Sequence, residues 1–299
     1  MAGRAVGAES ITAHPHAAAA AGRAAVGATV PFGEAIVDGV RLAYNDVGSG
    51  PAVVCLHAIG HGAGDFTRLC ETLRGRYRVV ALDWPGQGRS GPDRGPVTAQ
   101  RYAELLDGFL AALGLRQPIL IGNSIGGAAA LAYAHAHPGA VRALVLENPG
   151  GLGAADDRLA RAVLAGMVRF FAAGARRAAW FPAAFGAYYR MVLPRRAAAA
   201  QRRRIVASAY EIAPLLERAW RGFGEPQADQ RAVAPAIRCA VLVAWATRDQ
   251  FVQLRRSRAA IAQFPNARLE RFRAGHAAHL ETPEAFESAL ERFLEELGG

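Results

Sequence analysis

Ser124 stands in the run Gly122-Asn123-Ser124-Ile125-Gly126, directly after the apolar Pro118-Ile119-Leu120-Ile121 and directly before the alanine-rich stretch 127–136. A serine with glycine two residues away on each side, between a strand-like and a helix-like segment, suits a sharp turn that lifts its hydroxyl to the tip of a sheet. Such a turn crowds the backbone, and glycines at 122 and 126 relieve the crowding. With 33 glycines in the chain the pentapeptide alone would arise by chance, so its flanks carry the assignment. A serine hydroxyl becomes a nucleophile only when a base takes its proton and N–H donors receive the developing anion.

The sequence offers partners for each role. Only His276 and His279 follow residue 137, in Ala274-Gly275-His276-Ala277-Ala278-His279-Leu280-Glu281. His276, nearest the end of the preceding apolar run, is the preferred base, and His279 suits a structural or surface role. A base that accepts and returns a proton wants a pKa near neutrality, which imidazole supplies. Asp249, ending Val243-Ala244-Trp245-Ala246-Thr247-Arg248-Asp249, is the preferred acid to orient it. Glu147 is the alternative acid, or else a cap or salt-bridge residue. Ile125 supplies one oxyanion donor, and Ile59 or Gly60, in the loop His57–Gly64, supplies the second. Metal and nucleotide readings lack support. His57 and His61 lie in a glycine-rich loop with Asp65 as the sole nearby carboxylate, and His135 and His137 point from different helix faces. Gly60, Gly62 and Gly64 precede no phosphate-loop lysine. No cofactor and no metal are expected.

These groups need a sheet to hold them. Glu34–Val37 and Arg41–Asn45 predict a hairpin about Asp38-Gly39. Continuous apolar runs predict buried strands at Ala52–Leu56, Tyr77–Leu82, Val141–Glu147, Cys239–Trp245 and Ala267–Phe272. Helical spacing appears at Phe66–Leu73, 98–113, 127–136, 254–263 and 283–297. The alternation predicts a mostly parallel eight-stranded α/β sheet with helices on both faces. It breaks at 151–235, where Leu159, Val163, Met167, Phe170 and Phe171 recur at helical intervals. The predicted organisation is a flexible extension 1–31, a core of 32–150 with 236–299, and a helical lid 151–235 inserted after the sixth strand.

The chain has 299 residues, no lysine, and a net charge of +10. Residues 151–235 hold 14 arginines against 6 acidic residues, hence most of that charge. Their helical spacing fits a solvated face that would also attract an anionic substrate, and nucleic acid is not expected. Cys55, Cys70 and Cys239 lack metal-site spacing, and the first two strand-borne thiols among them, Cys55 and Cys239, fit reduced core thiols of a cytoplasmic protein. No apolar stretch is long enough to span a bilayer. The partner expected is a partly apolar small molecule, and a homo-oligomer is left open.

Taken together these motifs resemble the α/β-hydrolase family over residues 32–298. Asp83-Trp84-Pro85-Gly86-Gln87-Gly88-Arg89-Ser90 is similar to its D-x-x-G-x-G-x-S segment, and Gly275-His276 with Glu281-Thr282-Pro283 to its histidine loop. The resemblance implies a Ser124–His276–Asp249 triad acting on a small to medium carboxylic ester. A narrower similarity, through Gly122–Gly127, Asn148-Pro149-Gly150-Gly151-Leu152-Gly153 and Asp249-Gln250-Phe251-Val252, is to carbon–carbon hydrolases of meta-cleavage pathways. That would imply a dienoic acid substrate contacted by Asn123, its carboxylate held by a lid arginine, Arg203. Those enzymes carry Trp where this chain has Ala277, and Gly where it has Ala58. A non-catalytic ligand-binding homologue is the third reading.

Overall fold

The computed structural model describes residues 31–153 and 157–298, so the expected extension 1–31 lies outside the described residues apart from Pro31. β1 (Phe32–Val37) and β2 (Val40–Val47) form the hairpin. Its corner residues Asp38 and Gly39 have φ of 49° and 74°. Two left-handed residues give the turn whose twist matches that of the flanking strands. The strands β3 (Ala52–Leu56), β4 (Arg78–Leu82), β5 (Ile119–Asn123), β6 (Ala143–Glu147), β7 (Ala240–Ala246) and β8 (Ala267–Phe272) complete an eight-stranded sheet in the order β1-β2-β4-β3-β5-β6-β7-β8. β2 runs antiparallel to both neighbours, and every other pair is parallel.

Successive side chains of a strand point to opposite faces, so a continuous apolar run serves two cores at once. Val54, Leu56, Leu120, Leu144, Leu146 and Val243 face α2 (Ala99–Ala112) and α3 (Ile125–Ala136), meeting Leu105, Leu106, Phe109 and Leu131. The alternate residues Val53, Cys55, Ile119, Ile121, Val145 and Leu242 face α1 (Thr67–Leu73) and the last helix, where Phe286, Leu290 and Phe293 cover them. Burial holds the Cys55 thiol well above its ordinary pKa, an unreactive core thiol.

Between β6 and β7 the chain forms α4 (Arg158–Ala175), α5 (Phe181–Val192), α6 (Ala199–Ala207) and α7 (Ala209–Gly222). The Asp157 carboxylate caps α4 by accepting from Ala160 N–H at 2.6 Å. Phe171, Phe181, Phe185, Tyr189 and Trp220 build a third apolar cluster that also takes in Ile59, Phe251 and Ala277 of the core loops. The chain closes with α8 (Leu254–Ile261), the short α9 (Ala278–Glu281) and α10 (Pro283–Glu296).

α3 begins at Ile125, two residues before the alanine run, because Ser124 is its N-cap. The first turn of α3 lies against the ends of β3 and β5. A Cβ on Gly126 would stand 2.2 Å from Leu56 O, and one on Gly122 would stand 2.6 Å from Gly126 O. Both atoms are backbone and cannot rotate away. Gly126→Ala should therefore lower stability by about 1–3 kcal/mol or more, read as a lower urea midpoint at unchanged slope.

Candidate active site

β5 ends at Asn123, and Ser124 turns the chain with φ 56° and ψ −116°. A non-glycine residue held there costs on the order of 1–3 kcal/mol and persists only where its surroundings enforce it. Here the enforcement is backbone hydrogen bonding on both sides. Ser124 N–H donates to Glu147 O at 2.9 Å, and Ser124 O accepts from Ala128 N–H at 2.9 Å and Gly150 N–H at 3.2 Å. The hydroxyl itself makes no hydrogen bond to any described residue.

His276 follows β8 and Asp249 follows β7. His276 Nδ1 donates to Asp249 Oδ2 at 2.5 Å, leaving Nε2 without a partner among the described residues. Asp249 Oδ1 accepts from the N–H groups of Phe251 at 2.8 Å and Val252 at 3.0 Å. Asn148, which follows β6 with φ 39°, donates to Asp249 Oδ2 at 2.8 Å and accepts from Ala246 N–H at 2.7 Å. Its amide thus fixes the carboxylate against the end of β7. Burial pushes the His276 pKa down, but the charge and hydrogen bond of Asp249, with Glu281 and Glu147 behind it, outweigh burial and raise it above the ordinary value.

The two sequence candidates for the second oxyanion donor differ. Gly60 N–H is engaged by Gln87 Oε1 at 2.6 Å, so Gly60 is not a free donor, a correction to its candidacy. Ile59 N–H and Ile125 N–H donate to no described residue. Gln87 is buried and donates onward to Tyr102 Oη at 3.2 Å. Trp84 N–H donates to His57 Nε2 at 2.9 Å, which leaves Nδ1 to donate to Ala58 O at 2.7 Å. Burial holds His57 below its ordinary pKa, in the neutral form that this pattern requires.

The family described as the alpha/beta hydrolase fold matches residues 51–283. The chain belongs to the α/β-hydrolase fold family. It is 38% identical over 120 residues to a 2-hydroxy-6-oxo-6-phenylhexa-2,4-dienoate hydrolase of Comamonas testosteroni, a match covering 37% of this chain and 41% of that protein. The matched segment is therefore less than half the length of that relative. Among solved structures, a membrane phospholipase A described as a bacterial virulence factor superposes with a TM-score of 0.78 at 25% identity, over 90% of this chain and 87% of that one. A thermophilic esterase from Thermogutta terrifontis has a TM-score of 0.76 at 22% identity, over 89% and 99%, and shares the fold.

Around this α/β-hydrolase site lies a second set of buried charged groups that the sequence motifs only partly signal. Glu147, the alternative acid, accepts from His279 Nδ1 at 3.0 Å and from His279 N–H at 3.3 Å, so it serves His279 and not His276. The His279 ring stacks on Phe66 at 4.7 Å. His61 Nδ1 bonds Asp65 Oδ2 at 2.6 Å, and Gln201 of α6 donates to Asp65 Oδ1. Glu281 Oε1 accepts from three consecutive backbone groups, Gly275 at 2.8 Å, His276 at 3.0 Å and Ala277 at 3.3 Å. Its Oε2 accepts from Arg195 N–H at 3.3 Å. Burial keeps the Glu281 carboxyl above its ordinary pKa although four N–H donors oppose that. Glu281 thus cradles the backbone that carries His276.

Two expected substrate contacts take other places. Asn123 is fully buried, and its amide donates to Glu147 O at 3.2 Å and His276 O at 3.0 Å. It braces the loops around Ser124 through its Nδ2, while its Oδ1 accepts from no described residue. Arg203 is exposed on the outer side of α6, whose inward residues are Gln201 and Ile205. Over the site itself stand α5 and α7. A Cβ on Gly60 would lie 3.0 Å from Tyr189 Oη and 3.3 Å from Leu216, and the Phe251 ring lies 5.4 Å from Tyr188 and 5.8 Å from Trp220.

His276 must be unprotonated to accept a proton, and its raised pKa keeps it protonated to higher pH. The acid limb of kcat/KM should therefore have its midpoint above about 6.5, and in Asp249→Asn the residual activity should show that midpoint displaced downward. The same shift makes the His276–Asp249 pair stabilising in full below the unfolded histidine pKa, and that stabilisation is lost as pH rises through the folded value. Glu281→Gln should lower kcat on the order of 10²-fold with KM little changed, as a displaced base requires; equal loss in KM would contradict its positioning role.

Proposed function

We propose that this chain is a metal-free serine hydrolase acting on carboxylic esters of small to medium size. The observation that carries the reading is a strained serine at the end of β5, its hydroxyl unengaged by any described residue, next in the chain to Asn123, whose amide donates to the carbonyl of His276, its imidazole already oriented by a carboxylate at 2.5 Å. Ser124 Oγ attacks the ester carbonyl as His276 Nε2 takes its proton. The tetrahedral oxyanion receives hydrogen bonds from Ile125 and Ile59 N–H, with the N-terminus of α3 adding its dipole. Collapse expels the alcohol, which takes the proton from His276. Water, activated by the same imidazole, then releases the acid and restores Ser124. Asp249 fixes the tautomer in which Nε2 is the acceptor, and Asn148 and Glu281 hold acid and base in place.

A neutral, partly apolar substrate is favoured by the cluster joining Ile59, Phe251 and Ala277 to the aromatic residues of α5 and α7. These three residues are the oxyanion donor itself and close neighbours of the acid and base. Every arginine described in 157–235 is at least partly exposed, so none is buried over the catalytic loops as a clamp for a carboxylate. The carbon–carbon hydrolase reading rests on the 38% identity to the Comamonas enzyme. The helical insertion acts as the lid, and buried Cys55 and Cys70 are in keeping with a cytoplasmic protein.

p-Nitrophenyl esters of increasing acyl length should be hydrolysed, with a short or medium optimum. Ser124→Ala should abolish turnover, a loss on the order of 10⁶-fold in kcat. Labelling of Ser124 by a fluorophosphonate without turnover of any ester would transfer the assignment to carbon–carbon hydrolysis. Absence of both would leave a ligand-binding protein.

A further inference from the structure

The outer face of the insertion has a composition that the proposed hydrolysis does not use. α4 turns Phe171, Ala172 and Gly174 inward, and a Cβ on Gly174 would meet the Phe181 ring at 2.4 Å. Along one margin of that packed face it carries Leu159, 66% exposed, and Val163, 44% exposed, and just beyond the helix stands Trp180, 54% exposed. Leu159, Val163 and Phe170 are spaced by four and seven residues and so fall on one line along the helix. The half-buried Phe170 ring lies 6.0 Å from that of Trp180, which prolongs the line past the helix end.

Arginines lie farther round the helix on its solvent side. Arg158, Arg161, Arg169 and Arg176 are exposed and make no ion pair among the described residues. Two acidic residues described nearby are already engaged, Asp157 with Arg256 at 2.7 Å and Glu211 with Arg177 at 3.9 Å. Elsewhere an exposed aromatic of this chain is covered by its own cation: Arg89 lies 4.9 Å over the Phe32 ring. Among the described residues the α4 stripe has no such cover.

We propose that this face of α4, with Trp180, docks on an anionic lipid surface. A helix with exposed apolar residues along one edge of its outer face and arginines along the other, held on the protein by packing of its inner face, has the form of an interfacial helix. Leu159, Val163 and Trp180 enter the headgroup boundary, and the four arginines meet lipid phosphates. Charge decides between occupants. A second copy docked on the same face would bring the same four arginines against one another, whereas an anionic membrane complements them.

The intact protein, mixed with vesicles of phosphatidylcholine containing phosphatidylglycerol, should cosediment at low salt and be released at high salt. Pure phosphatidylcholine vesicles should retain little. Trp84 and Trp245 are fully buried and Trp220 is 8% exposed, so a blue shift of tryptophan emission on binding reports Trp180. Arg158→Gln and Arg169→Gln should each weaken binding about fivefold. Leu159→Asp with Val163→Asp should abolish binding while leaving hydrolysis of a water-soluble ester intact. No binding to the mixed vesicles, or binding that survives the Leu159→Asp/Val163→Asp change, would overturn the proposal; an acidic protein as the true partner gives the first of these results.

Discussion

The close approach of α3 to the ends of β3 and β5 is the constraint on which the rest of the site depends. Ser124 keeps its unfavourable backbone angles because Glu147 O, Ala128 N–H and Gly150 N–H hold it from three directions. Those bonds form only if the first turn of α3 can sit almost in contact with Leu56 and Gly122, where no Cβ fits on residue 126. The same contact sets the direction of Ile125 N–H and aims the positive end of α3 at the serine. A single backbone-to-backbone packing distance therefore controls the serine, the Ile125 N–H and the helix dipole together.

The loops around this turn are held by buried polar groups in unusual density. Asp249 with His276, Glu147 with His279, Asp65 with His61, and Glu281 with its N–H donors are all removed from solvent. Buried charges carry a desolvation cost that their pairing offsets only when every lone pair is met. Asp249 and Glu281 meet that condition with four hydrogen bonds each. Such an arrangement contributes little as a source of stability, and its value lies in fixing the loops after four parallel strands relative to one another. Asn123 and Asn148 act as the cross-ties, one joining the β5 end to the histidine loop and the other joining β6 to β7 and the acid.

The insertion works on two sides. Inward, α5 and α7 lay an aromatic surface over Ile59, Phe251 and Ala277, and Arg195 N–H reaches Glu281 beneath the histidine loop. A movement of the segment after α5 would therefore be felt at the backbone of His276. Outward, α4 presents apolar residues and unpaired arginines where a solvated helix would present mixed charge.

Features that are local in the chain were legible in the sequence. Asp38-Gly39 makes its hairpin because two adjacent residues can take left-handed angles, and the strands read as unbroken apolar runs because parallel strands are covered on both faces. The G-x-S-x-G turn carries its own glycines, and histidines are so few after residue 137 that His276 and His279 stand out. What pairs with what was a different matter. Glu147 and Asp249 both end strands, and only the positions of the two histidine rings decide that Asp249 bonds His276 while Glu147 bonds His279. Ile59 and Gly60 are indistinguishable as donors until Gln87, 27 residues from Gly60, engages one of them. That the Asn123 amide ties two loops together and that Arg203 is exposed on α6 follow from burial and helix rotation, which neither residue type announces. The sequence by itself determined the sheet, the turn and the chemical inventory, because propensity, periodicity and glycine tolerance act over a few residues. The tertiary structure alone decided which polar atoms remain free for a substrate, because a hydrogen-bond partner is assigned by distance in space and not by separation along the chain.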